Sequence, residues 1–141
     1  MTETHHPLAV ALASAGPLAG KTVLLVEDEV FIADLLVSWL ARLGVKTLWA
    51  NNGSEAVRLL AENPGPVCAV IADFRLPDMD GEAVCNRLRD LKPHLPVLLS
   101  SGRYQREAAE SLARGGPTCF IQKPYPLEDV LAKLQKLLAA V

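Results

Sequence analysis

Asp73 closes the apolar run Val67-Cys68-Ala69-Val70-Ile71-Ala72 and opens a turn-rich segment, Phe74-Arg75-Leu76-Pro77-Asp78-Met79-Asp80-Gly81. A carboxylate placed there leaves the carboxyl end of a buried strand, the edge at which open α/β sheets hold their ligands. The run Thr22-Val23-Leu24-Leu25-Val26 ends in the same way, in Glu27-Asp28-Glu29. Acids crowded onto one sheet edge raise one another's pKa or require a cation. An oxygen-only donor set of this size suits Mg²⁺, which keeps several waters and accepts phosphate oxygens beside one or two carboxylates. Two further strand ends add what phosphate chemistry needs: Ser101 a hydroxyl, Lys123 a mobile positive charge. Pro124 restricts Lys123 to extended backbone, and an X-Pro bond can be cis, so the pair is suited to aiming an ammonium group. Formal charges balance, three carboxylates against Mg²⁺ and one lysine.

The elements that must position these groups follow from periodicity. From Lys21 onward, short β-branched or leucine-rich runs alternate with amphipathic stretches, the pattern of repeated strand-helix units with right-handed crossovers and a parallel sheet covered on both faces. Strands are expected at Thr22–Val26, Val45–Ala50, Val67–Asp73, Pro96–Ser101 and Thr118–Ile121. The first helix carries Ile32, Leu35, Leu36, Trp39, Leu40 and Leu43 as its core face, and Gly44 stops it. A second helix spans Gly53 to Glu62 and ends at Asn63-Pro64-Gly65-Pro66. A third runs from Gly81 to Leu91, with Ala83, Val84, Leu88 and Leu91 as its apolar set. A charge-rich fourth covers Tyr104 to Arg114, and Leu127, Val130, Leu131, Leu134, Leu137 and Leu138 mark the last. Trp39 and Trp49 read as packing.

Composition fixes the class. With 141 residues, 50% hydrophobic and 21% charged, the chain is long enough for one domain with a substantial core. Fourteen basic and sixteen acidic residues, net charge -2, give no broad footprint for nucleic acid. Cys68, Cys85 and Cys119 are too few and scattered for a metal cluster and read as reduced, structural thiols. The apolar stretch Leu8–Ala13 resembles a signal-peptide core, but Met1–Pro7 holds an acid and no Lys or Arg. No membrane span is expected, since nothing approaches ~18 uninterrupted apolar residues. The expectation is a cytoplasmic protein with a flexible tail over residues 1–20 and one folded domain over 21–141.

Glu27-Asp28, Asp73, Ser101 and Lys123-Pro124, with Pro77 and Gly81 four and eight residues after Asp73, resemble the receiver (CheY-like) domains of two-component response regulators in order and spacing. The resemblance covers Lys21 to about Ala140. It implies an α/β fold, a doubly wound five-stranded parallel sheet of flavodoxin-like order 2-1-3-4-5 with helices on both faces. It implies that Asp73 accepts a phosphoryl group from a histidine kinase or histidine phosphotransfer protein. Asp28 then resembles a direct Mg²⁺ ligand, Glu27 a ligand through water or a group that only supports the direct ligands, and the backbone carbonyl of Arg75 a further ligand. Lys123 and the metal would stabilise charge during in-line transfer, so catalysis is mostly positioning and electrostatics. Ser101 and Phe120 resemble the hydroxyl and the aromatic of a switch acting through the fourth helix, the fifth strand and the last helix, the surface a downstream protein target reads.

Departures from the common pattern are Glu27 for aspartate, Ser101 for threonine, and Arg75 and Arg103 flanking the phosphate site, which leave the phosphate lifetime open. The resemblance implies no enzyme acting on an external substrate, no direct nucleic-acid contact and no membrane contact; a homodimer stays open. A flavin- or nucleotide-binding protein of the same fold is disfavoured by the acids after strand one. A haloacid-dehalogenase-type phosphohydrolase is disfavoured by Arg75, where a second acid belongs. A receiver that is never phosphorylated is disfavoured by the intact acidic set. The chain end, close behind the last helix, leads to the expectation of a free-standing single-domain regulator or a receiver excised from a longer protein.

Overall fold

The computed structural model describes residues 18–102 and 115–139. Five parallel strands form one sheet in the order β2-β1-β3-β4-β5: β1 Thr22–Val26, β2 Lys46–Ala50, β3 Val67–Asp73, β4 Val97–Ser101 and β5 Thr118–Gln122. The described helices are α1 Val30–Arg42, α2 Gly53–Glu62, α3 Gly81–Leu91 and α4 Leu127–Ala139. The expected sheet order, strand positions and first three helices are all present. The helix expected over 104–114, Arg103 and most of the expected tail lie outside the described residues.

The alternation of side chains along the strands divides the core in two. Val23 and Leu25 of β1, Ala69 and Ile71 of β3 and Leu98 of β4 pack with Leu36 and Leu40 of α1 and Val130 and Leu134 of α4. Their strand neighbours Leu24, Val26, Val70, Ala72, Val97 and Leu99 pack on the other face with Ala56 and Leu60 of α2 and Val84 and Leu88 of α3. Because β1, β3 and β4 are buried on both faces, they read as continuous apolar runs. Leu18 is fully buried in the first cluster, and the Gly20 N–H donates to the Gly44 carbonyl at 2.8 Å. Packing therefore begins ahead of Lys21, where the folded domain was expected to start.

Gly44 ends α1 as expected. Its φ of 79° places it in the left-handed region, its N–H donates to Ala41 O at 3.0 Å, and Val45 N–H reaches Leu40 O at 2.9 Å. That pair of bonds is a Schellman motif, which satisfies the last carbonyls of the helix. Three apolar assignments are corrected. Leu35 is 61% exposed, since the core side of α1 is set by Ala33, Leu36 and Leu40. Leu91, at the last turn of α3, is exposed rather than core. Trp49, on edge strand β2, is 38% exposed and makes a polar contact at the site. Cys68, Cys85 and Cys119 are free thiols; burial pushes the Cys85 thiol up to about 12, far from reactive.

Candidate functional site

Register delivers the acids together. Val26 of β1 lies opposite Ala72 of β3, so the next residues, Glu27 and Asp73, leave the sheet side by side. Asp73 in turn lies opposite Ser100, and Ser101 opposite Gln122, which brings Ser101 and Lys123 to the same edge. Lys123 N–H donates to the Ser101 carbonyl at 2.7 Å, and the Lys123–Pro124 peptide bond is cis. Asp28, Glu29, Asp73, Arg75, Ser101, Gly102 and Lys123 line one cavity of about 510 Å³. Of the expected edge residues, Asp28, Asp73, Arg75, Ser101 and Lys123 share this opening, while the buried Glu27 joins them through Lys123; Phe120 sits on β5 three residues before Lys123, half-buried against the second core cluster.

Lys123 Nζ stands between two carboxylates, 3.0 Å from Asp73 Oδ2 and 3.2 Å from Glu27 Oε1. Asp73 is buried, and its second oxygen, Oδ1, accepts the Arg75 backbone N–H at 3.2 Å. Glu27, 1% exposed, accepts the Glu29 N–H at its other oxygen, Oε2, at 3.1 Å. Both acids are therefore oriented before any ligand arrives.

The electrostatics are in tension. Burial pushes the Glu27 carboxyl above its ordinary 4.5, the Glu29 N–H and Lys123 pull it back, and Asp73 raises it again. Burial pulls the Lys123 ammonium down, but its hydrogen bond to Asp73 and the charges of Glu27 and Asp73 outweigh that, and its pKa ends above 10.5. Asp28 is exposed, and ligand oxygens of Glu27, Asp28 and Asp73 lie within 4.8 Å of one another. Three carboxylates against one ammonium leave the cluster short of positive charge. An all-oxygen set, part buried and part open to water, fits a hard divalent cation that retains waters.

Local braces hold the loop after Asp73. Asp78 reaches back to α2, where its two oxygens accept Gly53 N–H at 2.8 Å and Ser54 N–H at 2.9 Å. Asp80 caps α3 by accepting Ala83 N–H at 2.8 Å, and Gly81 N–H donates to Phe74 O at 2.6 Å. A Cβ at Gly81 would lie 2.9 Å from the Phe74 Cα, so only glycine permits that approach.

Two contributors escaped the sequence reading. Asp78 reads in the sequence only as part of a turn, and no local signal relates it to a helix start 24 to 25 positions earlier. Trp49 was read as packing, yet its Nε1–H donates to the Glu27 carbonyl at 2.8 Å. The signal there was a large amphipathic ring on an edge strand, which commonly finds a partner for its N–H.

The response regulator receiver domain model matches residues 23–135. The probable transcriptional regulatory protein TcrX of Mycobacterium tuberculosis is 33% identical over 117 residues, 83% of this chain and 49% of that protein. The chain spans about half the length of the curated relatives it matches. Among solved structures, the non-phosphorylated HemR receiver domain of Leptospira biflexa is 28% identical with a TM-score of 0.74, covering 84% of this chain and 94% of that one. A response regulator receiver domain protein from Clostridium thermocellum matches in fold with a TM-score of 0.77 at 21% identity, covering 85% and 95% of the two chains. Among the described residues, no helix is long and apolar enough to cross a membrane.

Proposed function

Since the chain belongs to the family of response regulator receiver domains, we propose that Asp73 accepts a phosphoryl group from a histidine kinase or histidine phosphotransfer protein and that the aspartyl phosphate is the signal. The observation that carries this reading is Lys123 Nζ bridging Asp73 and Glu27 at 3.0 and 3.2 Å, beside an acidic set that stays under-neutralised. An Asp73 oxygen attacks phosphorus; the P–O bond forms as the P–N bond to the donor imidazole breaks, and the departing nitrogen keeps the electron pair. Hydrolysis later returns the carboxylate and inorganic phosphate as water attacks the same phosphorus.

Asp28, Asp73 and the Arg75 carbonyl would hold Mg²⁺ directly, and Glu27 through water. When bound, the ion supplies positive charge to the phosphoryl oxygens. Lys123 supplies the rest and keeps the Asp73 carboxylate aimed between its two existing donors. The Ser101 hydroxyl, on the same cavity, closes on the new phosphate, and Phe120 moves with it. The surface of β5, α4 and the stretch 104–114 then carries the change to a downstream protein. Arg75, on the cavity rim, tunes how long the phosphate lasts. The working unit is the domain over 21–141 with Leu18 packed onto it, acting in the cytoplasm on protein partners rather than on nucleic acid or an external substrate.

Incubation with Mg²⁺ and acetyl phosphate followed by intact-mass measurement tests the reading. The wild type should gain one phosphoryl group, chelation should prevent it, and Asp73→Asn should remove it. Lys123→Ala should still label but lose the conformational response. No gain on wild type, under conditions that label another receiver, overturns the proposal.

A further inference from the structure

Glu27 is tied to β2 on both sides of its Cα. Its N–H donates to the Ala50 carbonyl at 3.0 Å, which continues the β1–β2 ladder one step past the last paired residues, Val26 and Ala50. Its carbonyl then accepts the Trp49 indole N–H at 2.8 Å, from a side chain 22 residues away. A carbonyl and the following N–H belong to one rigid plane, so the group that fixes Glu27 O also fixes the Asp28 amide. Beyond that plane the chain has less support: Asp28 is exposed, and α1 starts at Val30 without a side-chain cap.

Packing alone does not explain Trp49. The residue is 38% exposed, it belongs to neither buried cluster, and β2 is an edge strand. A phenyl ring would still cover part of that surface; among the aromatic side chains that fit a strand, the indole is the one whose N–H reaches the Glu27 carbonyl. We propose that Trp49 is a positioning residue for the acidic site: its N–H, by holding the Glu27–Asp28 peptide plane, aims the Asp28 carboxylate toward Asp73. The inference rests on the reading of Glu27, Asp28 and Asp73 as a Mg²⁺ site and adds a residue that touches neither metal nor phosphate. Groups that orient a ligand through a hydrogen bond commonly govern affinity by factors of about 10 to 100. One neutral bond at a partly exposed ring belongs at the low end.

Calorimetric titration of Mg²⁺ into the wild type and Trp49→Phe tests this, with urea unfolding of each protein in the absence of metal. Trp49→Phe keeps an aromatic ring on the strand and loses the donor. The expected result is Mg²⁺ affinity weaker by about tenfold with a nearly unchanged urea midpoint. Equal affinities overturn the inference, as does a loss of affinity matched by a collapse of the midpoint, which is the mark of a purely structural ring.

A second measurement leaves Trp49 in place. The chain has two tryptophans, so Trp39→Phe makes Trp49 the sole indole, read by excitation beyond the tyrosine band. Its emission should change on adding Mg²⁺ with the half-saturation found by calorimetry; a silent spectrum while calorimetry records binding overturns the inference without touching the metal reading. A wild type that takes up no Mg²⁺ overturns the metal reading itself, and this inference with it.

Discussion

The helices that start around the acidic site begin in two different ways. On one side, α2 and α3 have fully built N-termini: Asn52 caps Glu55 N–H at 2.8 Å, Asp78 takes the Gly53 and Ser54 N–H groups, and Asp80 takes Ala83 N–H. The same side is tied at the far end of the sheet. Buried Arg89 donates to Leu95 O and Pro117 O, the latter at 2.8 Å, and Lys92 Nζ donates to Pro64 O at 2.7 Å and to Val67 O. On the other side, α1 has Glu29 at its N-cap with no side-chain cap bond, and it opens on the exposed Val30 and Phe31. The difference teaches where the acids are employed. Asp78 and Asp80 spend their oxygens on helix N–H groups, whereas Glu27 turns its oxygens to Glu29 N–H and Lys123, and Asp28 faces water. Stability is built on the α2–α3 side and charge strain is concentrated beside α1.

Breaking the braced side at its deepest point should have the largest effect. Arg89→Met takes the buried guanidinium donors from the Leu95 carbonyl and leaves the Pro117 carbonyl with the Val97 N–H alone, and should cost about 2 kcal/mol in urea denaturation, where buried unsatisfied groups are among the most damaging changes. Asp78→Ala comes next, because two helix N–H groups lose their acceptor; a loss of about 1 kcal/mol is expected. Its pH dependence identifies the cause. Burial alone would raise the Asp78 carboxyl, but the Gly53 and Ser54 N–H donors hold it below 3.8. Its contribution is therefore present above 3.8 and lost as pH falls through the lower folded value, so the wild type and Asp78→Asn should converge in stability in acid.

Glu27→Gln sharpens the contrast by changing sign. Because the folded pKa of Glu27 lies above 4.5, the folded state binds more protons, and its stability falls as pH rises through that value. Removing the charge should raise the metal-free unfolding free energy at neutral pH by up to about 1 kcal/mol, while Mg²⁺ affinity drops. A destabilised Glu27→Gln would show that the bond to Lys123 outweighs the burial cost. Smallest of all, Phe31→Ser, at a residue 87% exposed in the first turn of α1, should change the unfolding free energy by less than about 0.5 kcal/mol.

Much of this was legible in the sequence for local reasons. Short continuous apolar runs set the strands, the Gly44 and Asn63-Pro64 signals ended α1 and α2, and the acids at two strand ends pointed to one edge. Helical periodicity was less decisive on α1, where Leu35 and Leu36 are neighbours in sequence but only Leu36 faces the sheet. At the site, the residue types were legible; their contacts were not. Lys123 and Glu27 stand 96 positions apart, and the sequence pairs them only through a resemblance.

By itself, then, the sequence determined the order of the elements, the sheet edge that carries the chemistry and the residue types gathered there, because turn chemistry and hydrophobic period act over a few residues. The tertiary structure alone decided that Lys123 bridges two carboxylates, that Asp78 caps a helix 24 to 25 positions away and that Trp49 holds the Glu27 carbonyl. Those pairings arise from strand register and helix docking. They join residues that no local pattern relates.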